Sequence, residues 1–137
     1  MNAFSLAIIA SASFFLTALL LGVWKYRGMA TSPEGLAHPY VDIAHRAALL
    51  YAFAASMLAG FVEVSQLSDT LELTAVILLV LYFAIAIIGY VIQGIKKETD
   101  NQIKDMSAGM TALMWSLIIA EIGGFLILFY GVIAALS

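Results

Sequence analysis

The long apolar runs of this chain contain few side chains capable of chemistry: His45, Tyr51, Tyr82, Tyr90, Gln93, Trp115 and Glu121. An imidazole can hold a metal or relay a proton near neutral pH, and a tyrosine hydroxyl can donate to a developing oxyanion. From His45 the positions Ala48, Ala52, Ala55 and Ala59 recur at helical spacing. In lipid such a stripe of small residues lets two helices approach closely, the device that replaces hydrophobic drive there. It could equally bed a flat prosthetic group, with His45 as axial ligand to a haem iron. On spacing alone both readings stand.

Tyr90 lies six residues before Lys96, about 9 Å along a helix axis, so it can share a depth with His45 near one membrane boundary. The alternative for a tyrosine there is an interfacial anchor. Tyr51 and Trp115 are placed to line the same half, and Tyr82 and Gln93 are further polar groups on the third run. Glu121, between Leu-Ile-Ile-Ala and Ile-Gly-Gly-Phe, stands 14 residues inside the last run, near mid-bilayer. A carboxyl at that depth is protonated or paired, and it can be a proton site, a second ligand or a hydrogen-bond clamp between helices. His38, seven residues before His45, would make a metal pair without a third ligand. No Gly-rich phosphate loop, Ser-His-Asp set or His-Glu-x-x-His motif occurs in the sequence.

The elements that must carry these groups follow from composition. Of 137 residues 64% are hydrophobic and 11% charged, against about 45–50% and ~25% in a soluble domain, so the bilayer is the solvent for most of the chain. The absence of cysteine removes disulfides and thiolate sites, and the net charge of -3 leaves no basic surface for nucleic acid. Four runs meet the ~20 apolar residues of a membrane span, at about Phe4–Trp24, Ile43–Val64, Leu71–Ile95 and Ser107–Leu136. The expected fold is an all-α bundle of four transmembrane helices in one domain. The first run exceeds a secretory h-region and no basic residue precedes it, so it is expected to remain as a span.

All six basic residues fall on one side of this arrangement: Lys25, Arg27 and Arg46 around the first connection, Lys96, Lys97 and Lys104 in or beside the third. The second connection has Glu63, Asp69 and Glu72 in or beside it and no base. The positive-inside rule then makes the two basic connections cytoplasmic and both termini non-cytoplasmic. In segment 25–42, Pro33, Gly35 and Pro39 are expected to interrupt any helix, with Asp42 capping the second span and His45 in its first turn. The mixed charges from Lys96 to Gln102 read as a solvated helix end. Gly89, Gly123 and Gly124 leave room for close subunit contacts, and a homo-oligomer among membrane lipids is expected.

Ala44-His45 at the head of the second helix, after a cytoplasmic loop and with Tyr90 on the third, resembles styrene oxide isomerase. That resemblance implies a small four-helix enzyme of the bacterial inner membrane, assembled as a trimer, whose histidine ligates haem b. In that family ferric iron acts as a Lewis acid on an epoxide oxygen, and the opened ring rearranges to an aldehyde. His45 would then hold the iron, Tyr90 would stand at the family's substrate-binding tyrosine, and Tyr51 would line the same side, facing a small lipophilic substrate. Where the family has an Asn after the ligand this chain has Tyr51, and where it has Asp and Asn on the third helix it has Tyr82 and Ala86. The same residues also look like the MAPEG enzymes, glutathione-using trimers, although that motif's Arg, Asn and Glu are here Ile43, Ala47 and Leu50. Two readings from other classes are a non-enzymatic accessory subunit, and a proton- or ion-coupled carrier centred on Glu121.

Overall fold

The computed structural model describes residues 1–101, 103–104 and 106–137. The described residues form four helices: α1 (Ala3–Thr31), α2 (Pro39–Val64), α3 (Asp69–Lys96) and α4 (Ala108–Leu136). Each is long and apolar enough to cross a membrane. At about 1.5 Å per residue they measure roughly 39–44 Å, so their ends extend past a ~30 Å hydrocarbon layer.

Local chemistry sets the ends. Asn2 caps α1, its side-chain oxygen accepting from the Ser5 N–H at 2.8 Å, and Ser107 caps α4 through the Met110 N–H at 3.2 Å. α1 runs on to Thr31, seven residues beyond the expected end, because no helix breaker intervenes before Pro33. Gly35, at φ +68°, makes the turn that follows. Pro39 opens α2 at its first helical position instead of interrupting a helix, where its missing N–H costs nothing. The cap is therefore His38, whose Nδ1 accepts from the Tyr40 N–H at 3.3 Å, and not Asp42. Asp42 lies in the first turn and pairs with Lys25 of α1 at 2.6 Å and with Arg46 at 2.7 Å, while His45 falls to the second turn. Lys97, at φ 55°, ends α3. The connection after it is mostly exposed, as its charges suggested, with Gln102 outside the described residues.

The helices pack in antiparallel register. Ser11 Oγ donates to the Ala52 carbonyl and His45 meets that of Ala18, fixing α1 against α2. Tyr51 stacks on Phe83 at 4.2 Å between centroids and Tyr40 on Tyr90 at 6.3 Å, fixing α2 against α3. α2 and α3 form the central pair. α1 lies mainly on α2, α4 mainly on α3, and among the described residues α1 and α4 do not pack together. This arrangement brings all six basic residues to one end of the bundle and Glu63, Asp69 and Glu72 to the other.

The alanine stripe is where the two readings of α2 separate. Ala44, Ala48, Ala52, Ala55 and Ala59 are buried in one core with Ala3, Ala7, Ala10, Phe14 and Ala18 of α1, whose own small residues recur at the same period. The stripe is a helix–helix seam, and α1 already fills the space where a flat group would lie. Gly94 makes a second close approach, since a Cβ there would stand 3.0 Å from Val41 Cγ2 and 3.1 Å from Trp24 Cη2. α4 is held more loosely: its buried residues are Gly124, Leu128 and Gly131, all in its C-terminal half.

Candidate functional site

Because α1 and α4 flank the central pair on different sides, the polar groups of the bundle divide into two sets. His45 belongs to the α1 side. Its Nδ1 lies 2.9 Å from the Ala18 carbonyl, and its ring rests on Gly22, where a Cβ would come within 3.1 Å of Cε1. A carbonyl can only accept, so Nδ1 donates to it, and in the neutral tautomer that this contact selects the lone pair is on Nε2. Nε2 makes no hydrogen bond among the described residues.

Tyr51 and Tyr90 belong to the α4 side. The N-terminal half of α4 buries none of its residues, and a half-open cleft of about 140 Å³ lies between it and α3. Tyr51, Ala86, Gly89, Tyr90, Met106, Met110, Met114 and Leu117 line it. A second cavity of about 280 Å³ adjoins it, lined by Ile43, Arg46, Ala47, Leu50 and the same two tyrosines. Tyr51 and Tyr90 are thus the shared wall of two cavities whose combined volume falls at the lower end of the ~300–1,000 Å³ of ordinary small-molecule sites. Stacking on Phe83 and Tyr40 holds both rings in place.

Glu121 lies one turn beyond Leu117 on the same face of α4, past the inner end of the cleft and outside the lining of either cavity. It is near enough to Tyr51 and Tyr90 to act on both electrostatically. Its Oε1 is buried and has no hydrogen-bond partner, and no ion pair among the described residues includes it. A clamp between helices would show a partner for this carboxyl.

The sequence grouped His45, Tyr51 and Tyr90 as one site. The structure brings the two tyrosines and Glu121 together and sets His45 on another face of α2. Tyr82 and Gln93 are half-buried and line neither cavity, and Trp115 faces outward at 61% exposure instead of lining the interior. Two features escaped the sequence reading. The cleft methionines look like ordinary span residues, although Met106, Met110 and Met114 recur every four positions. Glu72, read as lying in or beside the second connection, is 7% exposed in the first turn of α3. It heads the inward stripe Ala75, Val76 and Leu79, and that spacing was the available signal.

Gly124 serves within the chain, against the Ala75 carbonyl, whereas a Cβ on Gly89 or Gly123 would meet nothing within 4 Å. No family model, curated protein or solved structure matches the chain.

Proposed function

We propose that this membrane protein takes a small lipophilic molecule into the α3–α4 cleft and acts on it through the hydroxyls of Tyr51 and Tyr90. The observation that carries this reading is that both tyrosines wall two adjoining cavities within an otherwise apolar bundle. Water competes poorly there, so each hydroxyl can donate to an acceptor oxygen on the ligand and stabilise negative charge developing on it. Three methionines give the rest of the wall an adaptable, polarizable lining.

Benzophenone tests this directly, because it is neutral, lipophilic and inserts into nearby C–H bonds on illumination. Adducts are expected on Met106, Met110 and Met114 and lost in Gly89→Phe, which fills the cleft from a position with no packing neighbour. Equal labelling of Met29 and Met57, exposed on α1 and α2, would overturn it.

A second reading rests on His45 and on the likeness to styrene oxide isomerase. Ala18 orients the imidazole through Nδ1, as the second partner of a haem-ligating histidine would, but α1 fills the space along the alanine stripe and His45 lines none of the cavities described, so haem b would need α1 to move aside. When bound, ferric haem supplies a Lewis-acidic iron suited to an epoxide oxygen. The chain's own part would be to hold the iron through His45 and to orient the imidazole through Ala18, on the α1 side of α2 and apart from Tyr51 and Tyr90. The purified protein is expected to show a Soret band that disappears in His45→Ala, and a colourless preparation from haem-replete cells would sink this reading. MAPEG-type glutathione chemistry has less support. Ile43, Ala47 and Leu50 line the second cavity and leave Arg46 as its one charged group.

The same proposal includes a homotrimer in a bacterial inner membrane with both termini outside. The family likeness supports the trimer, and the clustering of basic residues at one end supports the orientation.

A further inference from the structure

One turn past the last cleft residue of α4, Leu117, stands Glu121, whose Oε1 is buried and has no hydrogen-bond partner among the described residues. Glu121 is the one acidic residue in the central part of the four helices. The facing groups from the packed helices are Tyr51 on α2 and Tyr90 on α3, and neither brings a positive charge. The basic residues that make ion pairs in the structure, Lys25, Arg46 and Lys96, are all paired elsewhere. An intramembrane carboxyl needs either a proton or a cation as partner. Among the described residues no basic side chain acts on Glu121, whereas the nearby cleft can admit a cation from outside.

We propose that the α3–α4 cleft binds small lipophilic organic cations of the quaternary ammonium class, with Glu121 as their counter-charge. The inference rests on the cleft reading above and specifies its ligand. The remaining chemistry of the pocket suits such a guest. Tyrosine rings attract a cation through their quadrupoles, methionine sulfur is polarizable, and the apolar wall receives the organic substituents. Charge balance is simple: the carboxyl releases one proton to solvent as one cation enters. A cation therefore competes with a proton for Glu121, and binding weakens as pH falls.

Benzyltrimethylammonium and its uncharged carbon isostere neopentylbenzene separate the charge from the shape. In detergent-solubilised protein, benzyltrimethylammonium is expected to bind at least tenfold more tightly than neopentylbenzene. Glu121→Gln should abolish that preference, and Glu121→Asp should retain part of it in a protein of the same elution profile. One proton should be released per cation bound, and Gly89→Phe should block both compounds. If neopentylbenzene binds as well as the cation, or if Glu121→Gln leaves cation affinity unchanged, the proposal fails while the cleft reading stands. If neither compound binds and benzophenone also fails to label the cleft, both fall together.

Discussion

Gly124→Leu and Gly131→Leu are expected to unseat α4, while Gly123→Leu leaves it docked. α4 meets the rest of the bundle through few buried positions, and two of the three are glycines. A Cβ on Gly124 would stand 3.1 Å from the Ala75 carbonyl oxygen, which belongs to α3's backbone and cannot turn aside. A Cβ on Gly131 would stand 2.8 Å from the Leu67 side chain and nearer still to Ser65 Oγ, which accepts the Leu67 N–H at 3.2 Å and holds the α2–α3 turn. Both sites must shift backbone or a bonded turn to admit a side chain, and overpacking of this kind costs about 1–3 kcal/mol per site. Gly123 has open space where its Cβ would go, so it supplies a control of equal bulk one residue away. Thermal unfolding in detergent measures the difference. Equal midpoints for the three variants would show that α4 is not held by these approaches. Because Glu121 lies one turn before the Gly124 pinch, the same variants should also disturb the inner end of the cleft.

How much of this was open to a reader of the sequence depends on the length scale. Hydropathy over twenty residues places four spans, since the cost of polar groups in hydrocarbon acts on whole segments. It does not place their ends. Lys25 to Thr31 is polar yet helical, because a helix entering water stops only where a residue such as Pro33 stops it, and Pro39 starts a helix because it stands at the first position. The partition of the site was partly legible. His45 and Tyr51 are six residues apart, and at about 100° per residue that spacing sets them on different faces of one helix. Which face meets α1 and which faces the cleft depends on helix order around the bundle, and hydrophobic periodicity carries no record of it. The alanine stripe was ambiguous for a related reason. Small residues invite close approach by any flat or narrow partner, and only the matching stripe of α1, brought alongside by the antiparallel register, decides what fills it.

Orientation gives the other all-or-none expectation. The chain has no cysteine, so a single introduced thiol reports one site without background. Asp100→Cys, in the exposed connection after α3, should react with a membrane-impermeant maleimide only from the cytoplasmic face, and Gln66→Cys, in the connection after α2, only from the opposite face. The physical ground is the count of Lys and Arg, because the rule that orients helices depends on basic residues near the span ends and not on net charge. Asp42 therefore does not weaken the bias of the first connection, although it pairs with both Lys25 and Arg46. All six cations lie at one end of the bundle, in or beside the first and third connections, and the other end carries none, so reversal would leave every one on the disfavoured side. Labelling of Gln66→Cys from the cytoplasm would refute the orientation and would place the His45 and Tyr90 end of the bundle outside. Labelling of both sites from one face would instead mean that α3 does not span, which would remove the wall of the cleft.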